Sequence, residues 1–334
     1  MRGFGHHIAA LLASPSKAQM AQDGSRALAR ALQAAAVDAG GAIRTDTTPK
    51  RILVENGRAA GVETEGGAIF RARHFVASSL NPQQTFLELM DEGHVPKVWR
   101  ERAEAFEYNL LAPLFALYLN LREAPRYEAL ERNSSEETPF MVILGLEHVD
   151  QFPEIVRHHE AGTIPPTVMW GACPTPLDPS QAPSGEHTAF MWEKLPYRVR
   201  GDPTRWDQIR DAHGREMLDL WAHYAPNLKD VVIDRFTRSP LDIERALPNM
   251  RTGDLLVGAF THGQIGHDRP FPGAGGYRAH PPGLYLCGSC CHPGGNVTGL
   301  PGYNAAQVVL SDLGLEPDWA PPPVEQHLRS LASR

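Results

Sequence analysis

The residues best arranged for chemistry form one run, Gly283-Leu-Tyr-Leu-Cys-Gly-Ser-Cys-Cys-His-Pro-Gly-Gly-Asn-Val-Thr-Gly-Leu-Pro-Gly302, leading into Tyr303-Asn304-Ala305-Ala306. An apolar strand enters a glycine-rich loop, and a helix begins directly after it. A helix N-terminus presents free N–H groups and partial positive charge, which suits a phosphate or an electron-rich ring. Gly294, Gly295 and Gly299 lack Cβ, so the backbone there can come close to a ligand. A tight structural turn would use the same glycines. Gly294 and Gly299 have the spacing of a phosphate loop, but Leu300-Pro301 stands where Lys-Ser/Thr is required. That excludes a nucleoside triphosphate site of this kind.

Cys287-Gly-Ser-Cys290 is formally C-x-x-C, which opens thiol–disulfide chemistry. Haem attachment would need histidine at position 291, which is Cys291. Zinc would need more ligands, and the adjacent Cys290, Cys291 and His292 do not readily converge on one ion. No metal is expected, and small residues packed around a loop are the plainer reading. The chain has no G-x-G-x-x-G, G-x-S-x-G or H-E-x-x-H. Of its 15 histidines, only His292 lies inside the glycine-rich run. It is the candidate for a catalytic base, set against a structural role; His262 and His267 stand nearby in sequence.

The elements that must position this run are legible in part. Asp23-Gly24-Ser25 offers helix-capping chemistry, with Ala27, Leu28, Ala31, Leu32 and Ala35 following at helical spacing and Gly40-Gly41 as the stop. A strand is expected at Ala42–Thr45. Arg51–Glu55, Asn56-Gly57 and Arg58–Thr64 read as a hairpin, and Gly66-Gly67 turns the chain into a further strand over Ala68–Ser78. Leu114–Leu121 is a continuous apolar run suited to a strand buried on both faces. Thr204–His223 has the spacing of a helix, Val231–Thr237 and Leu284–Cys287 of strands, and about Gly302–Leu313 of the last helix.

Composition sets the outer bounds. The chain has 334 residues, 42% hydrophobic and 21% charged, with a net charge of −7, as expected of a globular protein of about two domains. That balance gives no general attraction to nucleic acid, and no nucleic-acid partner is expected. No apolar run approaches the roughly 18 residues of a membrane helix. Ile8–Ala13 is a six-residue apolar stretch, whereas a secretory signal needs about 7–15. Four clustered cysteines are too few for a disulfide framework. A cytoplasmic setting is expected, with peripheral membrane attachment open if the substrate is lipophilic.

A second segment, Ala31–Met90 with Ile52-Leu-Val-Glu-Asn-Gly-Arg-Ala-Ala-Gly-Val62 and Val76-Ala-Ser-Ser-Leu-Asn-Pro82, adds to the glycine-rich run, and Arg269-Pro-Phe-Pro-Gly273 and Tyr277-Arg278, just upstream of the run, fit with it. Together these motifs resemble the FAD-dependent oxidoreductases related to phytoene dehydrogenase, in particular the group of pyridine nucleotide-disulfide oxidoreductase domain-containing protein 2. The likeness covers the last two-thirds of that family. It implies a mixed α/β fold: a glutathione-reductase-like FAD domain, incomplete at the N-terminus, with an interleaved substrate domain. Residues 1–84 and 251–315 would belong to the FAD domain, 85–250 to the substrate domain, and 316–334 to a tail.

By the same resemblance, Gly288 and Ser289 lie at the FAD pyrophosphate and ribityl chain, followed by Gly294 and Gly295. Val297, Thr298, Gly299 and Leu300 would lie beside the flavin pyrimidine edge. Ser78 and Ser79 would border the cofactor, and Pro49 falls where the family places a valine whose backbone pairs with adenine. The implied chemistry is hydride transfer from a carbon of a small apolar substrate to flavin N5, with a proton lost to a base or water. The sequence departs from the family in three ways. The strand–G-x-G-x-x-G–helix unit is not found, so a truncated or split member is expected: an internal start, a truncated gene model, or one half of a split enzyme whose missing unit a second polypeptide supplies. Pro49 has no N–H to offer adenine. Cys290, Cys291 and Asn296 replace smaller residues. Two alternatives stay open: a non-catalytic fragment or partner subunit that does not bind FAD alone, and a thiol oxidoreductase using Cys287 and Cys290.

Overall fold

Asn56 and Gly57 take φ values of 50° and 70° and reverse the chain between β1 (Pro49–Glu55) and β2 (Arg58–Thr64). Two consecutive positive φ angles make the type I′ turn, whose twist matches that of the flanking strands. The computed structural model describes residues 20–132 and 139–317. Within it β2 pairs onward with β3 (Ile69–Arg71), completing a three-stranded antiparallel meander. One strand is expected over Ala68–Ser78, but the chain breaks after Arg71 and β4 (Val76–Ser78) joins a different sheet. The strand expected at Ala42–Thr45 does not form. The apolar stretch Ile8–Ala13 and the tail beyond 317 lie outside the described residues.

Residues 44–107 and 256–317 form one compact unit, and 20–43 and 108–255 form another. In the first, β10 (Leu284–Leu286) pairs in parallel with β4, Leu284 opposite Val76 and Leu286 opposite Ser78. Helix Leu300–Asp312 follows the loop after β10. Its far end is tied back to the strand, because Asp312 accepts hydrogen bonds from Tyr285 Oη at 2.8 Å and from the Arg278 guanidinium at 2.6 and 2.7 Å.

The second unit is built on the apolar run Leu114–Leu121, which is β5. It stands within a five-stranded antiparallel sheet of order β6 (Val142–Leu144), β7 (Met169–Ala172), β8 (His187–Lys194), β5, β9 (Val232–Arg238). Alternate residues Phe115, Leu117, Leu119 and Leu121 enter the core with Met169 and Met191. Helix Trp206–Tyr224 contributes Trp206, Met217 and Trp221 to the same cluster. Each such side chain contributes roughly 1.5–3 kcal/mol on burial. Gly214 lets the helix lie on β9, since a Cβ there would meet Thr237 Cγ2 at 2.4 Å.

Helix Ser25–Asp38 has no buried residue, and its apolar side chains Leu28 and Leu32 are 42% and 65% exposed. Its N-cap is Gly24, within the expected capping stretch Asp23-Gly24-Ser25 but without a side-chain bond, and Asp23 directs its N–H to Asp178 and Ser180. Among the described residues no helix is long and apolar enough to cross a membrane.

Candidate functional site

The site is assembled where β4 and β10 end together. The parallel ladder runs one step past the strands, with Cys287 N–H donating to the Ser78 carbonyl at 2.9 Å. At the next residue, a Cβ on Gly288 would lie 2.0 Å from the Ser79 carbonyl oxygen. Glycine is therefore required by contact between the two chain segments. The carboxyl ends of parallel strands are where open α/β sheets bind ligands. The Ser78 hydroxyl is committed to Thr85 Oγ1 at 2.8 Å, so it braces the strand end.

From Ser289 onward the loop is held from below by Arg269, which is 1% exposed. Its two terminal NH2 groups share their four N–H among six carbonyls, those of Leu256, Val257, Gly258, Ala259, Gln264 and Ser289, all at 3.1–3.3 Å. The Phe260 ring lies 4.2 Å from its central carbon. Gly294 packs on that same ring, where a Cβ would come within 2.6 Å, and Gly295 packs against Leu256. The close approaches made by Gly288 and Gly294 are thus to the protein itself. Tyr277 Oη donates to the His292 carbonyl at 2.9 Å and accepts from Asn304 Nδ2 at 2.8 Å, joining the loop to the helix. The His292 side chain is exposed, as are those of His262 and His267.

Residues 296–302 are built differently. Asn296 and Val297 both adopt left-handed backbone, with φ of 85° and 58°, a costly choice for a β-branched valine. Val297 is 84% exposed and Leu300 44%. Gly299 is the N-cap with φ of 69°, open space where its Cβ would be, and no capping side chain. Leu300 N–H reaches Thr298 Oγ1 at 3.3 Å and Pro301 has no N–H, while Gly302 N–H finds no acceptor among the described residues. Strained backbone, exposed apolar side chains and a bare helix terminus meet within seven residues. They fit an electron-rich aromatic ring laid against the loop.

The remaining candidates sit apart from this cluster. Pro49 opens β1 opposite Thr64, and no hydrogen bond among the described residues joins it to the loop. Burial pushes the half-buried Cys287 thiol up, away from the thiolate needed for exchange chemistry. Cys290 Sγ points at the Leu80 carbonyl, 3.4 Å away, and Cys290 and Cys291 are buried.

In the second unit the sheet carries aromatic side chains on the face opposite its core. The Tyr118 and Phe236 rings stack at 4.7 Å, Phe190 and Trp192 lie 4.6 Å apart, and Trp170 meets Trp192 edge-on at 6.4 Å. The sequence reading missed these residues. Their signal was the alternation Phe190-x-Trp192, which with period two puts both rings on one face.

Among curated proteins, the chain is 30% identical to a limonene dehydrogenase subunit of Castellaniella defragrans over 323 residues, covering 91% of this chain and 57% of that protein. It is 30% identical to the rat pyridine nucleotide-disulfide oxidoreductase domain-containing protein 2 over 316 residues, covering 92% and 54%. A phytoene desaturase of Cereibacter sphaeroides is 23% identical over 220 residues, 61% of this chain and 38% of that one. No protein-family model matches. The chain spans about half the length of the first two relatives. On these likenesses, and on the motifs that the loop and strands carry, the chain belongs to the phytoene dehydrogenase-related family of FAD-dependent oxidoreductases.

Proposed function

We propose that this chain holds the flavin edge and the substrate-binding unit of an FAD-dependent dehydrogenase of the desaturase kind. The observation that carries this reading is the loop at 296–302, with its bare helix terminus and its exposed Val297 and Leu300. Bound FAD would supply a hydride acceptor at N5. The chain's own part is positional and electrostatic. Gly288 and Ser289 offer main-chain groups at the strand end. Gly302 N–H and the helix dipole favour negative charge placed beside them. Val297 and Leu300 would exclude water. The unit formed by 108–255 offers an aromatic wall for an apolar substrate.

A second reading is that FAD is held only together with another polypeptide that carries a dinucleotide-binding unit. β4 and β10 are a parallel pair of three residues each, and parallel strands ordinarily sit inside larger sheets covered on both faces. The exposed leucines of helix Ser25–Asp38 support it, and the limonene dehydrogenase relative is itself named as one subunit of its enzyme. The test is the visible spectrum of the purified chain after incubation with FAD and desalting. Bands at about 370 and 450 nm are expected if the chain holds the cofactor. A colourless protein would overturn binding by this chain alone. The second reading then requires the bands to appear on co-purification with a G-x-G-x-x-G polypeptide.

A further inference from the structure

We infer that the five-stranded sheet binds an elongated apolar molecule that ends in a carboxylate, its chain on the aromatic face and its carboxylate at Lys194. This deepens the proposed function, on which it rests for treating 108–255 as the substrate-binding unit.

The register defines the face. Tyr118 stands opposite both Phe190 and Phe236, Trp170 opposite Trp192, and Leu114 opposite Lys194. Cross-strand partners share a face, as do residues two apart on one strand. Lys194, Trp192 and Phe190 therefore follow one another along the same side of β8, four residues or about 13 Å from end to end. That is about the length of a ten-carbon chain. Phe236 is 49% exposed and the other four rings are half-buried, so a continuous apolar strip is open to a ligand.

Lys194 closes one end of the strip. Its Nζ lies 5.6 Å from the centre of the Trp170 ring and donates to the Ala112 carbonyl at 3.1 Å. No carboxylate stands within ion-pair distance among the described residues, so the ammonium has donors to spare. Burial pulls its pKa down to about 8, which still leaves it mostly charged at neutral pH. Two other titratable groups act on it. Asp254, which accepts from Asn109, exerts a smaller opposite pull. His159 donates Nδ1–H to the Leu110 carbonyl and is held toward its neutral form by burial, so it adds no competing cation.

A second donor on the same face lacks a partner. Trp192 Nε1 is buried without an acceptor among the described residues. Both an unmatched buried N–H and a half-buried ammonium short of a counter-charge cost stability. The ammonium is relieved by an anionic oxygen acceptor, which a hydrocarbon does not supply, and an amine would repel Lys194. Charge and the rings together select an apolar acid.

Trp170 and Trp192 report occupancy, so the test is a tryptophan-fluorescence titration of the full chain, without added FAD, by decanoate, decanol and decylamine. Decanoate is expected to bind roughly tenfold more tightly than decanol, and decylamine more weakly than either. Lys194→Met should bring decanoate to the decanol level and leave decanol unchanged; Lys194→Gln is the substitute if that variant does not fold. Equal binding of decanoate and decanol by the unaltered chain overturns the inference. So does a preference that survives both substitutions. The two readings fail separately. A colourless protein that still prefers decanoate removes FAD binding by this chain alone, whereas flavin bands without that preference remove the acid.

Discussion

Glu193 Oε2 lies 2.6 Å from His213 Nε2 in the core of the second unit, and the two residues are 1% and 3% exposed. Burial pulls the imidazole down, but the Glu193 carboxylate, reinforced by Glu216, outweighs it and holds His213 above its ordinary 6.5. Burial likewise pushes the Glu193 carboxyl up, with His213 pulling the other way.

Both shifts are upward, so both act on stability in the same sense. A group whose folded pKa is raised contributes stability that is full below its unfolded pKa and lost as pH rises through the folded value. The Glu193 part should therefore be lost as pH rises above about 4.5, and the His213 part as it rises above about 6.5. Glu193→Gln should flatten that dependence, since it removes the charge that holds the proton on His213. Urea midpoints measured from about pH 6 to about pH 9 decide it. Parallel slopes for the two proteins would refute the coupling.

The glycines of the loop after β10 separate into two kinds. Gly288→Ala must push its Cβ into the Ser79 carbonyl, so an overpacking cost of roughly 1–3 kcal/mol or more and a displaced loop are expected. Gly299→Ala meets open space and carries only the left-handed backbone cost of about 1–2 kcal/mol. Thermal melts of the two variants should rank in that order. The reverse order would mean that the β4–β10 junction is looser than described.

Local signals in the sequence were enough for the hairpin at Asn56-Gly57, the buried strand Leu114–Leu121 and the helix Trp206–Tyr224, because turn chemistry and periodicity act over a few residues. The division of Ala68–Ser78 into β3 and β4 was not legible, since what draws β4 away is Leu284–Leu286, far along the chain. Glu193 and Lys194 show the same limit more sharply. In sequence they are an ordinary adjacent pair of charges. The strand sends one to His213 in the core and the other to Trp170 on the opposite face, and both partners come from remote segments. In the loop, glycine spacing marked close backbone approaches but not what the glycines touch, because Ser79 and Phe260 come from other elements.

Arg269 was legible only as part of a family motif, yet it gathers six carbonyls beneath the loop. Lysine keeps the charge but not the planar fork, and leaves several of those acceptors unmatched. Arg269→Lys should lower unfolding stability by roughly 3 kcal/mol or more. Urea denaturation reads this directly. A loss below about 1 kcal/mol would show that the 256–264 segment and Ser289 do not depend on the guanidinium.

The pairing of β4 with β10 bears on both readings of cofactor binding. Its ladder covers only Val76–Ser78 against Leu284–Leu286, flanked by Val76 N–H to the Gly283 carbonyl and Cys287 N–H to the Ser78 carbonyl, whereas β5 pairs with β8 from Leu114 to Leu121 and with β9 from Ala116 to Leu121. Short parallel pairs gain little from each other, so this region should open below the global unfolding free energy. Hydrogen exchange is expected to be faster at Val76 and Cys287 than at Leu117 and Met191. A ligand that binds only the closed form must slow it. If FAD sits against 288–302, adding it should protect Val76, Cys287 and Gly302 while leaving Leu117 unchanged. Protection at Val76 and Cys287 already equal to that of Leu117, and indifferent to FAD, would rule out this coupling of strand pair to cofactor.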